Sequence, residues 1–426
     1  MRVSRSLLSL VVAGVLGLGA ASLPATSIAQ QEAAAPGPQY SKGFQKAAGK
    51  VQTLVQEQNW PEALEGIAKL EALEGLTPDD RSVIFSWKLQ ALRSTGDEAA
   101  LNAFLEQHLA SGYAQPNQVG PIHQQLAAWY NKQKDAEKTR YHYRKFIDAT
   151  PDASAQEYET MGRLYLQADQ YDEASAWLGK AIERSSASGE KPKELWYQLL
   201  DRAYVELDDG ARRLQNLEAL VKQYPKPEYY SRVLALYSQG SGDDKVLMLH
   251  GYRLAMEDTG LETVGQYLSY TELAISVGSP GEGERALQKG IADGVVPDAG
   301  SNQQLLAEAK AAATRDRRDL PKDAATAAKG TNGEVDAKIG LGFYSIGQHE
   351  QAVEAIRRGL EKGGVKRVDD AQLTLGAALA ELGRFDEARA AFAKAAEAAG
   401  AGSWMARMAG LWEAYAQRKS AAGAAG

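Results

Sequence analysis

One spacing constrains this chain more than any other feature: a small residue, a second twelve positions later, and a third seven beyond that, occurring three times. It runs through Gly162, Ala174 and Ala181, through Gly340, Ala352 and Gly359, and through Gly376, Ala388 and Ala395. Around each set the apolar residues recur at spacings of three and four, with almost no β-branched alternation, so the chain is read as all-α. Two antiparallel helices that cross closely need small residues where their backbones approach, because a larger side chain there costs about 1–3 kcal/mol of strain. Large residues fill the flanks. Tyr165, Phe343 and Leu379 stand three residues after the first small position, and Leu178, Ile356 and Phe392 four after the second, on the same helix faces. The intervening turns ADQYDEA, IGQHEQA and LGRFDEA end one helix on polar or glycine residues and open the next with acid, which suits the helix dipole.

These segments resemble tetratricopeptide repeats. That family's helix pair carries Gly or Ala at its eighth position, an aromatic residue at the eleventh, Ala at the twentieth and twenty-seventh, and often Pro at the thirty-second. The likeness is strong at about 154–186, 333–363 and 369–399. It extends to the segment from Glu194, where Tyr204, Leu217, Leu220 and Pro225 match but Asp201 replaces the small residue. In the next segment Tyr237 follows Tyr204 by 33 residues and Val246 replaces the alanine. Weaker pairs are read at about 41–74, 79–110, 119–149 and 261–293.

The resemblance implies an α-solenoid of antiparallel helix pairs, a right-handed superhelix. Residues 299–332, rich in Ala, Lys, Arg and Asp around Pro321, read as an irregular, broken helical linker. It would divide an N-terminal solenoid at 41–298 from a C-terminal array at 333–419, with 420–426 a disordered tail.

At the start, Arg2 and Arg5 precede an apolar run from Leu7 to Ala21, then Pro24 and small residues up to Ala29. This has the parts of a secretory signal cut after Ala29, and a run of about 15 residues falls short of the roughly 20 that a spanning helix needs. Residues 30–40 read as a flexible lead-in. The expected compartment is the periplasm, with the extracellular medium as the alternative. Removing the two arginines takes the net charge of −7 further negative, leaving no basic field for nucleic acid. The absence of cysteine excludes disulfides, thiolate metal sites and a cysteine nucleophile.

No catalytic, metal or cofactor site is assigned. His108, His123, His142, His250 and His349 form no His-Glu-x-x-His helix and are read as surface or half-buried. The carboxylate pairs Asp79–Asp80, Asp208–Asp209, Asp243–Asp244 and Asp369–Asp370 sit at turns and helix starts, where capping is their expected work. Tyrosine outnumbers phenylalanine by 19 to 7, and although Tyr165, Tyr204 and Tyr237 are repeat positions, Tyr229, Tyr230, Tyr267 and Tyr270 are candidates to face a groove.

In the resembled family the inner surface is lined by first-helix positions that correspond here to Gln156, Glu159, Arg163, Leu166 and Gln167, and to Leu195, Gln198, Arg202, Val205 and Glu206. Arg163 and Arg202 would either grip a carboxylate or phosphate together or pair with Glu159 and Glu206, and pairing is the favoured reading. The Lys/Asn clamp for a chaperone's acidic tail is missing. The expected function is therefore a non-catalytic periplasmic scaffold for protein–protein interactions in envelope assembly or transport, taking other envelope proteins or peptide segments as partners. A transporter-associated small-molecule binder, with a pocket lined by tyrosines and an arginine, is the alternative, and an unrecognised envelope enzyme is the third.

Overall fold

The computed structural model describes residues 37–242 and 244–425, so the expected export signal, the expected cut after Ala29 and most of the expected lead-in lie outside the described residues. Among the described residues there are twenty helices and no strand, as the periodicity predicts. The chain divides into two compact units between Tyr113 and Ala114. The first holds α1 (Lys42–Gln56), α2 (Trp60–Glu71), α3 (Pro78–Thr95) and α4 (Glu98–Ala110). The second begins with α5 (Pro116–Lys132), α6 (Ala136–Asp148), α7 (Ala155–Leu166), α8 (Tyr171–Ala187), α9 (Glu194–Glu206) and α10 (Gly210–Gln223). It continues through α11 (Pro227–Gly240), α12 (Lys245–Asp258), α13 (Val264–Ser276), α14 (Pro280–Ala292) and α15 (Gly300–Lys329). It ends with α16 (Gly333–Ser345), α17 (His349–Lys362), α18 (Val368–Glu381), α19 (Phe385–Ala399) and α20 (Trp404–Ala425).

The same turn joins first helix to second in pair after pair. One residue adopts a left-handed conformation, and the next amide donates back to the carbonyl five residues earlier, which closes the orphan carbonyls of the helix end. Gln170 donates to Tyr165 at 3.0 Å, Asp209 to Tyr204 at 2.9 Å, Gln348 to Phe343 at 2.9 Å and Arg384 to Leu379 at 2.8 Å. The weaker pairs use it too, with Asn59 donating to Leu54 at 2.9 Å, Asp135 to Tyr130 at 3.0 Å and Ser279 to Ala274 at 2.8 Å. The left-handed residue is Gly347 or Gly383 late in the chain, but Gln58, Lys134, Asp169 and Asp208 earlier, where a Cβ makes that conformation costlier.

Helix crossings follow the twelve-then-seven pattern. Ala174, Ala181, Ala352, Ala388 and Ala395 are wholly buried, Gly162, Gly340, Gly359 and Gly376 are buried, and Phe343 is nearly so, while Tyr165 is half-buried. A Cβ at Gly162 would stand 2.7 Å from Cγ of Leu178, and one at Gly376 would run into the Phe392 ring. At α11 and α12 the small partner changes helix: Leu234 occupies the first-helix position, and Gly251 opposite leaves room for it.

Three expectations about the chain's layout are corrected. Residues 300–329 form one continuous helix with Pro321 inside it, anchored by wholly buried Ala309 and Ala313. This helix does not hold two arrays apart, because α14 reaches α16 directly: the Gly281 amide donates to Ser345 Oγ at 3.0 Å. Residues 420–425 continue α20 rather than fraying. The C-terminal helices also return to the middle of the second unit. Arg407 of α20 makes a two-pronged contact with Glu218 of α10 at 2.8 and 2.9 Å, and the buried Trp412 indole donates to the His250 carbonyl of α12 at 3.3 Å. One apolar core accordingly runs from Tyr197 of α9 to Ala416 of α20.

Candidate functional site

The first helices α7, α9, α11 and α13 are tied sideways by a succession of polar bonds. Glu159 of α7 is buried and accepts from the Trp196 indole of α9 at 2.8 Å. Gln198 of α9 donates to the Tyr229 hydroxyl of α11 at 2.7 Å, and Gln266 of α13 donates to Ser231 of α11 at 2.6 Å. Asp201, standing where a small residue is expected, takes Arg213 of α10 at 2.8 Å and Arg232 of α11 at 2.9 Å. A buried carboxylate is costly unless paired, and this one joins three helices through charge where its neighbours use close packing. Lys226 and Tyr229 both donate to Glu194, and those bonds hold its carboxyl below the usual range.

The residues expected to line a groove separate into two groups. Glu159 is a buried strut, with Gln156 donating to it at 2.8 Å and Arg163 lying 3.6 Å away one turn on. Arg163 therefore pairs as favoured. Arg202 does not: it is exposed and makes no ion pair with Glu206 or any other described residue. Leu166 is buried, while Gln156, Gln167, Gln198 and Glu206 are exposed. Leu195 and Val205 stay 42% and 48% exposed, which leaves an apolar residue on either side of the free Arg202 guanidinium along one face of α9. The four tyrosines proposed for a groove are instead core residues, each 5% exposed or less, and two of their hydroxyls bond to buried or part-buried acids. Tyr230 donates to Asp258 at 2.7 Å and Tyr270 to Glu282 at 3.1 Å.

Sequence reasoning did not find the deepest polar cluster, where α12, α14 and α18 meet. Arg253 of α12 holds Glu282 of α14 in a fork at 2.5 and 2.6 Å, both residues being 2% exposed. Burial opposes both charges, and their mutual attraction overrides it, so Glu282 stays ionised. His250, wholly buried, bonds to Asp370 of α18 through Nε2 at 2.8 Å and to Arg253 through Nδ1 at 3.2 Å. Since an arginine only donates, Nδ1 must accept, and the ring is neutral with its proton on Nε2. Burial first, then the Arg253 charge, lowers the His250 pKa accordingly.

Two sequence readings are thereby corrected. Asp80, Asp209 and Asp244 do cap helices, but Asp370 serves the buried histidine. His123 and His142 are not surface residues: their Nδ1 atoms meet at 2.9 Å in a buried pair, and burial with the neighbouring His142 lowers His123 to about 4. The signal for the cluster was present in KVLMLHGYRLAM, where His250 and Arg253 occupy the helix face that Leu247 and Leu254 share. Among the described residues, no three His, Asp or Glu side chains are placed to hold a metal. None of their helices is long and apolar enough to cross a membrane.

The tetratricopeptide repeat model matches residues 157–188 and 369–401, the α7/α8 and α18/α19 pairs. No curated protein matches the sequence significantly. Among solved structures, a tetratricopeptide repeat protein from Parabacteroides merdae is 13% identical, with 69% of this chain and 99% of that one covered at a TM-score of 0.27. A thermophilic protein of the same kind from Thermus thermophilus is 17% identical over 61% of this chain and 98% of that one, at a TM-score of 0.19. The TPR2AB domain of yeast Sti1, solved as a complex with pHSP90, is 9% identical over 70% and 98%, at 0.23. The chain thus contains tetratricopeptide repeats at α7/α8 and α18/α19, and the same turn and crossing recur in other helix pairs.

Proposed function

We propose that the chain is an exported, non-catalytic scaffold of the cell envelope, and that the exposed face of α9 takes a segment of another envelope protein. Tetratricopeptide repeats are in general protein-interaction scaffolds, and the finer assignment rests on one observation: a guanidinium without a partner, Arg202, between exposed Leu195 and Val205. Apolar side chains on either side of a free donor suit a peptide carrying a carboxylate among apolar residues. Arg163 and Lys193 share the single carboxylate of Glu159, so a net positive charge stands at that end of the same row of first helices.

The test is photo-crosslinking in cells from a reactive residue at Gln198, followed by mass spectrometry of the adducts and of the intact chain. The scaffold reading expects one or two envelope proteins as adducts, lost in Leu195→Glu/Val205→Glu, and an N-terminus at Gln30. Adducts that persist in that variant would move the site off α9, and an uncut N-terminus would remove the export assignment.

A further inference from the structure

The first unit contains a cleft that the scaffold reading does not use. It has a volume of about 250 Å³ and lies between α3 and α4, with Tyr113 at its edge. Its floor is aromatic: Phe85 stacks on His108 at 4.0 Å and meets Phe104 at 5.4 Å, beside buried Ile84. At the edge the Arg81 guanidinium lies 4.0 Å over the Tyr113 ring, whose outer surface is 52% exposed.

Arg81 is half-buried, yet its side chain makes no hydrogen bond or ion pair with any described residue. The carboxylate that shares the cleft, Glu71, is already neutralised by Lys88 at 2.8 Å. A guanidinium offers five donors in a planar fork that matches a carboxylate, and all five here remain available next to an apolar floor. The size decides between occupants. Drug-sized ligands fill roughly 300–1,000 Å³, so this cleft suits one ring with a short tail and has no room for a helix or several peptide residues.

We propose that the cleft binds a small carboxylic acid bearing one aromatic ring, with the ring against Phe85 and Phe104 and the carboxylate held by Arg81. Tyr113, fixed by a single cation–π contact, then covers the ligand from the solvent side. This site is separate from the α9 face, and its failure would leave the scaffold reading intact.

Titration calorimetry of the mature chain tests it with three probes: 3-phenylpropanoate, its amide, and a short peptide ending in phenylalanine with a free carboxylate. The acid is expected to bind saturably, and the amide at least about tenfold more weakly, the loss of one charge-assisted pair. Arg81→Gln should reduce acid binding by a similar factor with an unchanged melting temperature. If that variant is unstable, Arg81→Lys keeps the charge without the fork and should still bind the acid more weakly than the parent chain. Equal binding of acid and amide, full binding by either arginine variant, or no saturation by about 1 mM acid overturns the proposal. Binding of the peptide alone overturns it in favour of a protein terminus as the occupant.

Discussion

The α16/α17 and α18/α19 pairs can be compared with the α9/α10 and α11/α12 pairs, for they bring helices together by different means. In the later pairs the small residue is in its place, Gly340 against Ile356 and Gly376 against the Phe392 ring, and in α16/α17 a buried carboxylate, Asp336, is added beside the crossing and held by Arg358 and Lys362 at 2.7 and 2.6 Å. In the middle pairs the small residue is missing from its place. Asp201 binds two arginines instead, and at Leu234 the glycine has moved to the opposite helix. The difference teaches that the repeat geometry has more than one physical solution: a paired carboxylate stands beside the small crossing residue at Asp336 and takes its place at Asp201.

The largest effect should come from the buried fork. Arg253→Met leaves Glu282 charged and unpaired, and urea unfolding should show a loss of about 3–5 kcal/mol. Arg253→Met/Glu282→Leu should recover most of it, since replacing both members of a buried pair with apolar residues is often neutral. A double variant as unstable as the single one would mean that charge is not what holds the middle together. Next, Gly376→Leu should cost about 1–3 kcal/mol by overpacking, whereas Asp201→Asn, which keeps the shape, should cost nearer 1 kcal/mol. Equal losses would erase the contrast between the two regions.

The smallest effect is a response to acid. His250 and His123 have lowered pKa values in the folded chain, so the unfolded chain binds their protons first. Their contribution is complete above the unfolded value of about 6.5 and is lost as pH falls. Melting temperature should therefore drop from about pH 6.5 toward the His123 value of about 4, and His123→Gln should flatten part of that slope. A melting temperature flat across that window would show that neither ring is held neutral by folding.

What was legible in the sequence was local. The Gly376, Ala388 and Ala395 spacing names its own helix pair, because the partners are close in the chain and the steric rule is strict. Even the weak pairs at 41–74 and 261–293 appear as α1/α2 and α13/α14. Polar partners were not legible. Asp370 reads as a helix-start acid because nothing near it in sequence announces His250, 120 residues away. Pro321 reads as a breaker, although it lies within a helix whose Ala309 and Ala313 are anchored by burial. At the candidate site, the family positions named one face of α9, but which side chains are engaged there depends on neighbours: Glu159 is taken by Trp196, whereas Arg202 forms no ion pair with a described residue.

The return of α20 onto α10 and α12 changes how the second unit should fold. A linear repeat array contacts only its neighbours, can nucleate anywhere, and loses repeats from an end one at a time. Here Arg407 reaches Glu218 across 189 residues of chain, and Trp412 reaches His250 across 162. Such contacts raise the contact order and delay part of the stabilisation until the last helix is made. Truncation before Trp404 would thus uncover the core face of α12 as well as remove an end, so the unit should unfold as one cooperative body from α9 onward.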